Sequence, residues 1–267
     1  MPQTVFERVE KKYLLTPRQA AQLQSLLQGH LVPDEYGPST VCSLYADTAD
    51  YLLIRRSVEK PAYKEKLRLR TYGVPTGQST AFLELKKKLN GTVYKRRLTL
   101  NYQTGLKILN GQRQLLPGTQ IGREIGWFLQ SYNGLRPTAA VFCERQAFCD
   151  RGDPTLRYTF DRNITACLNR LDLSANAGGV PLLNPGEVLL ELKTGQNLPL
   201  WLCRLLSELK IYPTGFSKYG TLYQNFVLGG RPGRAGLFAG NGTTLWRPNA
   251  QKSFKKRFGQ RFKPGLL

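Results

Sequence analysis

The sequence has 267 residues, enough to bury a substantial core, and a barrel-type fold of this length commonly forms one domain. Its 39 Lys and Arg residues against 18 Asp and Glu residues give a formal net charge of +21, which favours anionic partners. Five scattered cysteines without a Cys-x-x-Cys pair argue against a disulfide framework or a zinc site, and no segment has the roughly 18 apolar residues of a membrane span, so we expect a cytoplasmic protein.

Three helices are predicted, and all three are expected to serve packing. The first begins after the N-cap Thr16 and ends at Gly29. Apolar residues at helical spacing predict the second over about residues 120–132. The third begins at Leu198–Pro199 and ends before Pro213.

Most of the remaining chain predicts β-strands, because apolar and polar residues alternate between turn residues. Successive strand residues point to opposite faces, so residues two apart share a face. One face of the segment 64–70 is entirely basic, with Lys64, Lys66, Arg68 and Arg70. The same alternation places Glu84 with Lys86, Lys95 with Arg97, Glu191 with Lys193, and Glu10 with Lys12. The sequence therefore predicts an α+β protein rich in sheet.

Two arrangements of these strands satisfy the alternation. An open antiparallel sheet would turn its charged face to solvent. A closed barrel would turn that face inward, around an anionic ligand. Like charges on neighbouring strands destabilise a sheet unless an anion lies between them, so the clustering of Lys and Arg favours the barrel.

Seven motifs, in order along the chain, resemble those of the VTC domain. They are Ser43–Thr48, Tyr63–Arg70, Glu84–Lys86, Tyr94–Arg97, Glu144–Phe148, Glu191–Lys193 and Phe216–Gly220. Each motif is weak alone, whereas the ordered set covers residues 4 to about 227. The VTC domain is the catalytic module of polyphosphate polymerases, within the triphosphate tunnel metalloenzyme (CYTH-like) superfamily.

This resemblance implies an antiparallel closed β-barrel of about eight strands, the triphosphate tunnel, with flanking α-helices. It assigns residues 1–227 to the tunnel domain and leaves residues 228–267 as a basic, Gly-rich tail. The implied activity is transfer of the γ-phosphate of ATP to a growing inorganic polyphosphate chain. That acceptor is already ionised near neutral pH, so no general base is required, which fits a sequence whose one histidine, His30, has no partner motif.

The resemblance also implies roles for individual residues. Catalytic phosphate-binding residues are expected to be Lys12, Arg68, Arg70, Lys86, Lys95, Arg145, Lys193 and Lys218. Further substrate contacts are expected from Arg97, Arg157 and Ser217, the last of which could equally cap a helix. The main ligand of a Mn²⁺ or Mg²⁺ cofactor would be Glu191, with Glu84 and Glu10 as helpers, because such cations bind carboxylates together with substrate phosphates.

One departure from the superfamily bears on the reaction. Tunnel hydrolases typically begin with Glu-x-Glu-x-Lys, whereas here Arg8 precedes Glu10 and Lys12. The lost carboxylate favours a polymerase over the first alternative, a tripolyphosphatase or nucleoside triphosphatase of the same fold. A second alternative is a non-catalytic polyphosphate-binding protein. A specific nucleic-acid partner is not expected, because no RNA-binding motif with stacking aromatics is present.

The segment 228–267 has nine basic residues and no acidic ones. Phe254, Phe258 and Phe262 recur there at every fourth residue, which is typical of a short amphipathic basic helix, while the glycines also suit a disordered tail. We expect this tail to dock to a membrane surface or to an acidic partner.

Overall fold

The structure is a computed structural model that describes residues 9–59, 61–90, 92–175, 178–195 and 197–229. Arg8 and all but two residues of the predicted tail lie outside the described residues. Among the helices of the described ranges, none combines the length and the apolar character that crossing a bilayer requires.

The described residues form a ten-stranded antiparallel sheet and six α-helices. The strands are β1 (Val9–Leu15), β2 (Leu31–Pro33), β3 (Ser39–Asp47), β4 (Tyr63–Tyr72), β5 (Thr80–Leu89), β6 (Thr92–Asn101), β7 (Arg136–Asp150), β8 (Arg157–Cys167), β9 (Val180–Pro181) and β10 (Val188–Thr194). The helices are α1 (Pro17–Leu26), α2 (Leu52–Val58), α3 (Tyr102–Leu109), α4 (Gln120–Ser131), α5 (Leu200–Glu208) and α6 (Lys218–Leu222). A π-helical turn, Tyr223–Leu228, follows α6 directly.

Eight of the strands form one continuous path, in the order β1-β10-β8-β7-β3-β4-β5-β6. The path is strongly curled. Five strands separate β1 from β5, which would place them about 29 Å apart in a flat sheet. Glu10 Oε2 on β1 nevertheless lies 3.8 Å from Lys86 Nζ on β5. The face that carries Glu10 and Lys86 is therefore the concave face of a half-barrel.

The closed barrel predicted from the sequence is not what the described strands form. The path of eight strands ends at β1 and β6, which are not hydrogen-bonded to each other among the described residues. Part of the outer edge of β1 is taken by another segment instead, because Thr214 N donates to Lys12 O at 2.7 Å and Tyr13 bridges to Pro213. The architecture is an open, curled antiparallel sheet of an α+β protein.

Two apolar clusters cover the convex face. Leucines of β4 and β5, such as Leu67, Leu69 and Leu83, are fully buried beneath α3 and α4. Residues of β8 and β10, such as Tyr158 and Leu192, are fully buried beneath α1 and α5. The alternation seen in the sequence thus places the apolar side chains outward, against the helices, and leaves the charged side chains on the concave face.

A third apolar cluster lies at one end of the concave face, beneath α2, α6 and the π-helical turn. We call these three helical elements the plug. A β-bulge in β8 allows this strand to direct side chains inward at both the charged part and the plugged end of the concave face. The register of β8 against β7 shifts near Asn163, whose φ of +48° is the left-handed conformation of a bulged residue. As a result Asp161 and Ile164, three residues apart, both face inward, the first among charges and the second under the plug.

The three helices predicted from the sequence are confirmed as α1, α4 and α5. Thr16 and Gln19 form the full capping box at the start of α1. The sequence analysis did not identify α2, α3 and α6, which have seven, eight and five residues. Helices this short are unstable alone and depend on tertiary contacts, so their sequences carry little periodic signal.

Asp47 is the contact that holds the plug to the sheet. This fully buried carboxylate accepts hydrogen bonds from the backbone nitrogens of Thr48, Leu53 and Ile54 at 2.8–2.9 Å and from Tyr219 Oη at 3.0 Å. It therefore caps α2 and fixes α6 at the same time.

We expect Asp47→Ala to lower the free energy of unfolding by about 2–3 kcal/mol, because several buried donors lose a charged acceptor. The matched control is Asp50→Ala, which removes an exposed partner of Arg55 and should cost less than about 1 kcal/mol. Urea denaturation of both variants checks this. Equal effects of the two substitutions would contradict the role of Asp47.

Candidate anion-binding site

Rows of directly opposed residues on β4, β5 and β6 organise one half of the concave face. Lys66 pairs with Lys86, and Lys86 pairs with Lys95, so that three lysines lie side by side. In the adjacent row, Arg68 pairs with Glu84 and Glu84 with Arg97. Like charges in opposed positions destabilise a sheet, so the lysine row needs compensation from elsewhere.

Glu84 is the centre of the first charge cluster. Its side chain is 1% exposed, and its oxygens lie 2.7 Å from Arg68 Nη2, 2.6 Å from Lys95 Nζ and 2.5 Å from Arg97 Nη2. Arg70 Nε lies 4.0 Å away. Burial raises the pKa of Glu84, but the positive charges of Arg68, Arg70 and Lys95 outweigh it and hold the pKa far below its ordinary value.

Glu191 is the centre of the second cluster, on the opposite half of the concave face. Lys12 Nζ and Lys193 Nζ each lie 3.0 Å from one of its oxygens, and Arg145 and Lys218 each lie 3.6 Å away. Burial raises the pKa of Glu191, and these four cations lower it well below its ordinary value.

Asp161 on β8 fixes two cations of the second cluster. Arg145 donates to both of its carboxylate oxygens, at 2.6 and 2.7 Å, and Lys218 Nζ lies 2.5 Å away. Asp161 is fully buried, so this arrangement holds a guanidinium and an ammonium at fixed positions.

Glu10 connects the two clusters. One of its oxygens lies 3.4 Å from Lys12 Nζ, and the other lies 3.8 Å from Lys86 Nζ. Lys12 in turn contacts Glu191, so a continuous chain of charges runs from β5 across the open side to β10. The result is one cation-rich surface rather than two separate ones.

The structure brings every predicted cationic residue to this surface. Arg157, for which no acidic partner is described, shares the face through its position opposite Lys193 on β10. Ser217 caps α6, since its hydroxyl accepts from Gly220 N at 3.3 Å, and it also accepts from Lys66 Nζ at 3.3 Å. His30 lies elsewhere, stacked on Trp201 at 4.2 Å with Nδ1 3.4 Å from Asp150.

Two groups on this surface were not assigned from the sequence. Lys66 shares the basic face of segment 64–70 but lies outside the positions carried over from the family. Tyr45 on β3 faces the same row as Arg68, whose Nη1 donates to its hydroxyl at 3.3 Å. The alternation of side chains along β3 could have identified Tyr45 only if the basic residues opposite it on β4 had been known.

Three groups have pKa values near 8, close to neutral pH. Burial lowers the pKa of Lys66 to about 8; Tyr45 acts in the opposite direction, and the neighbouring lysines act in the same direction as burial. Burial also lowers the pKa of Lys95 to about 8, against the opposing effect of Glu84. Burial raises the pKa of Tyr45, but Arg68, Arg70 and Lys66 outweigh it and lower that pKa to about 8.

The carboxylates provide limited ligands for a divalent cation. No group of three or more His, Cys, Asp or Glu residues within the described ranges is placed to bind a metal. The oxygens of Glu84 already contact three cations at hydrogen-bonding distance, and its role as a helper ligand stays a prediction. Glu10 and Glu191, which share the contact with Lys12, fit a cation that one or two carboxylates hold together with substrate phosphates.

Comparison with known families identifies one match to this chain. Residues 7–227 match the profile of the VTC domain. The resemblance seen in the seven motifs is therefore confirmed over most of the chain. The comparison with curated proteins gives no match.

The fold is shared by a solved structure of low sequence identity. A Bacillus halodurans protein provisionally named an adenylate cyclase superposes with a TM-score of 0.52 and 14% identity, over 84% of this chain and 99% of its own length. A Vibrio parahaemolyticus protein with the same provisional name scores 0.42 at 11% identity, over 82% and 99%. A conserved hypothetical protein from Pyrococcus furiosus scores 0.36 at 10% identity, over 76% and 87%. The first of these similarities shows the fold of the chain.

We expect Glu84→Gln to destabilise the ligand-free protein by about 3 kcal/mol, because four cations lose their common counter-charge. Added tripolyphosphate should restore much of this loss by supplying negative charge to the same cations. Thermal unfolding with and without tripolyphosphate checks both expectations. A variant as stable as the parent protein without ligand would show that Glu84 does not neutralise the first cluster.

Stability and anion binding should depend on pH in opposite directions. The pKa values of Lys66 and Lys95 fall from 10.5 to about 8 on folding, and that of Tyr45 falls from 10.0 to about 8. The unfolded chain therefore binds more protons above pH 8, so these groups make the ligand-free protein more stable as pH rises from about 7 to about 9. Tripolyphosphate should bind more weakly over the same range, because the concave face loses positive charge.

Urea denaturation and titration calorimetry at about pH 7, 8 and 9 measure the two trends. The measurements stop at about pH 9 because, at higher pH, the buried Cys143 thiol makes the folded protein less stable, since its pKa is raised to about 11. Stability that falls over this range, or affinity that rises, would contradict the assignment.

Proposed function

The chain belongs to the VTC domain family, and from this premise we propose that it is a polyphosphate polymerase. It transfers the γ-phosphate of ATP to a growing inorganic polyphosphate chain. The observation that carries the proposal is the pair of charge clusters on the concave face, centred on Glu84 and Glu191, in which basic side chains far outnumber acidic ones. Such an excess of positive charge suits a ligand with several negative charges.

The basic residues bind and orient the reacting phosphates. Arg68, Arg97 and Arg145 present guanidinium groups, which match the geometry of phosphate oxygens, while Lys12 and Lys193 supply compact charge. Because Glu84 and Asp161 hold several of these groups in place before substrate binds, little reorganisation is required during the reaction. Phosphoryl transfer depends mainly on such positioning and charge stabilisation.

The cofactor would be Mn²⁺ or Mg²⁺, held by Glu191 and Glu10. When bound, a divalent cation neutralises charge on the phosphate oxygens. Glu191 is already surrounded by Lys12, Lys193, Arg145 and Lys218, so it also keeps these cations close to the reacting phosphates.

The acid–base properties of the site favour a polymer over water as the acceptor. A hydrolase would benefit from a base that activates water. The carboxylates of Glu10, Glu84, Asp161 and Glu191 all have lowered pKa values, since nearby lysines and arginines stabilise their ionised forms against the effect of burial, and this makes them weak bases. The terminal phosphate of a polyphosphate chain is ionised near neutral pH and needs no such base.

The substrates would thus be ATP and inorganic polyphosphate. A cytoplasmic location is part of the proposal, because the five cysteines of the chain are free and Cys42, Cys143 and Cys167 are buried as thiols. Docking of the tail to a membrane surface or to an acidic partner stays a prediction.

Incubation with ATP and Mn²⁺ tests the proposal. We expect long polyphosphate, visible on a gel, with ADP formed in proportion. Release of orthophosphate without polymer would support the hydrolase alternative. Binding of polyphosphate without any turnover would support the non-catalytic alternative.

Glu191→Ala should lower turnover by about 100-fold or more while binding of tripolyphosphate is retained, because the variant keeps the cations and loses the carboxylate. Glu187→Gln is the control, since Glu187 lies on the turn before β10 and bonds to Asn184. Full activity of Glu191→Ala would show that Glu191 takes no part in the reaction.

A further inference from the structure

Lys66 lies where the charged part of the concave face meets the plug. On the sheet it is opposite Lys86, and its Nζ donates to Ser217 Oγ at 3.3 Å, next to the start of α6. Its side chain is half-buried, so the ammonium group lies within the concavity rather than in bulk solvent.

The charge of Lys66 lacks the compensation that its neighbours have. Within the described ranges, no acidic side chain lies within 4.0 Å of its Nζ, whereas Lys95 reaches Glu84 at 2.6 Å and Lys86 reaches Glu10 at 3.8 Å. Ser217 offers a neutral hydroxyl, which solvates the ammonium but does not neutralise it. Of the three lysines in the row, Lys66 is thus the one without a carboxylate partner.

A lysine in this position opposes folding. It is partly removed from water, and it lies opposite a second lysine on the adjacent strand. A methionine would fill similar space without the charge. An anion bound at the inner end of the lysine row would reverse the effect, because it would lie between the ammonium groups of Lys66 and Lys86.

We propose that Lys66 is a substrate-binding residue that contacts an anionic oxygen of the phosphate chain at the plugged end of the concave face. This assignment rests on the proposed function, because it takes a polyphosphate or nucleoside triphosphate as the ligand. It extends the binding surface from the two charge clusters to the edge of the plug, where Ser217 can donate its hydroxyl to the same phosphate.

The experiment compares Lys66→Met with Lys11→Met and Lys66→Arg in the full chain. Lys11 is the matched control, an exposed lysine on the opposite face of β1, so its removal changes the net charge equally. Titration calorimetry at fixed ionic strength measures binding of inorganic tripolyphosphate, and thermal unfolding without ligand measures stability.

We expect Lys66→Met to weaken tripolyphosphate binding roughly tenfold or more, with a melting temperature equal to or above that of the parent protein. Lys11→Met should change the affinity less than about twofold, and Lys66→Arg should keep most of it. The gain in melting temperature on adding tripolyphosphate should also be smaller in Lys66→Met.

Two results would overturn the assignment. One is unchanged affinity in Lys66→Met, and the other is a Lys66→Met protein that fails to fold or melts well below Lys11→Met, which would make the residue structural. The parent protein separates this failure from failure of the proposed function. If it neither binds tripolyphosphate nor makes polymer, the function is wrong, whereas if it does both and Lys66→Met binds equally well, only Lys66 is wrongly assigned.

Discussion

Crowding of positive charge on one face of the sheet is the constraint on which the rest of the structure depends. Opposed lysines on β4, β5 and β6 would repel one another, and the fold tolerates them because Glu84 contacts Lys95 and Glu10 contacts Lys86. On the other half of the concave face, Glu191 gathers several further cations at short distance. The carboxylates of Glu84 and Glu191 are both buried, so each of their interactions is stronger than it would be at the surface. Neutralisation is still incomplete, and the negative charge of a phosphate-bearing ligand would complete it.

Burial of apolar side chains elsewhere in the molecule offsets the free-energy cost of this charge repulsion. The convex face buries its leucines beneath four helices, and the plug buries a third cluster at one end of the concave face. This apolar burial stabilises the sheet independently of its charged surface. The plug also has a second role, since α6 brings Lys218 to Asp161 while Asp47 anchors the helix through Tyr219.

The charge clusters also relate the fold to the choice of acceptor. A carboxylate that accepts from several cations has a low pKa, so one group cannot organise phosphate-binding residues and also act as an efficient base. Glu84 and Glu191 are committed to the first task. In the proposed function, this commitment favours a reaction whose nucleophile is already ionised. Lys66, Lys86 and Lys95 also differ in their carboxylate partners. This difference determines where on the concave face negative charge from a ligand is most needed.

The sequence by itself determined which side chains share a face, because strand alternation is local and depends only on residue order. It therefore predicted the basic face of β4 and helices α1, α4 and α5. Tertiary structure decided that the sheet stays open, that a bulge near Asn163 turns both Asp161 and Ile164 inward, and that Glu84 gathers two arginines and a lysine at short distance. These features depend on which strands become neighbours and how far the sheet curls, and periodicity carries no information about distances between strands that are far apart in the chain.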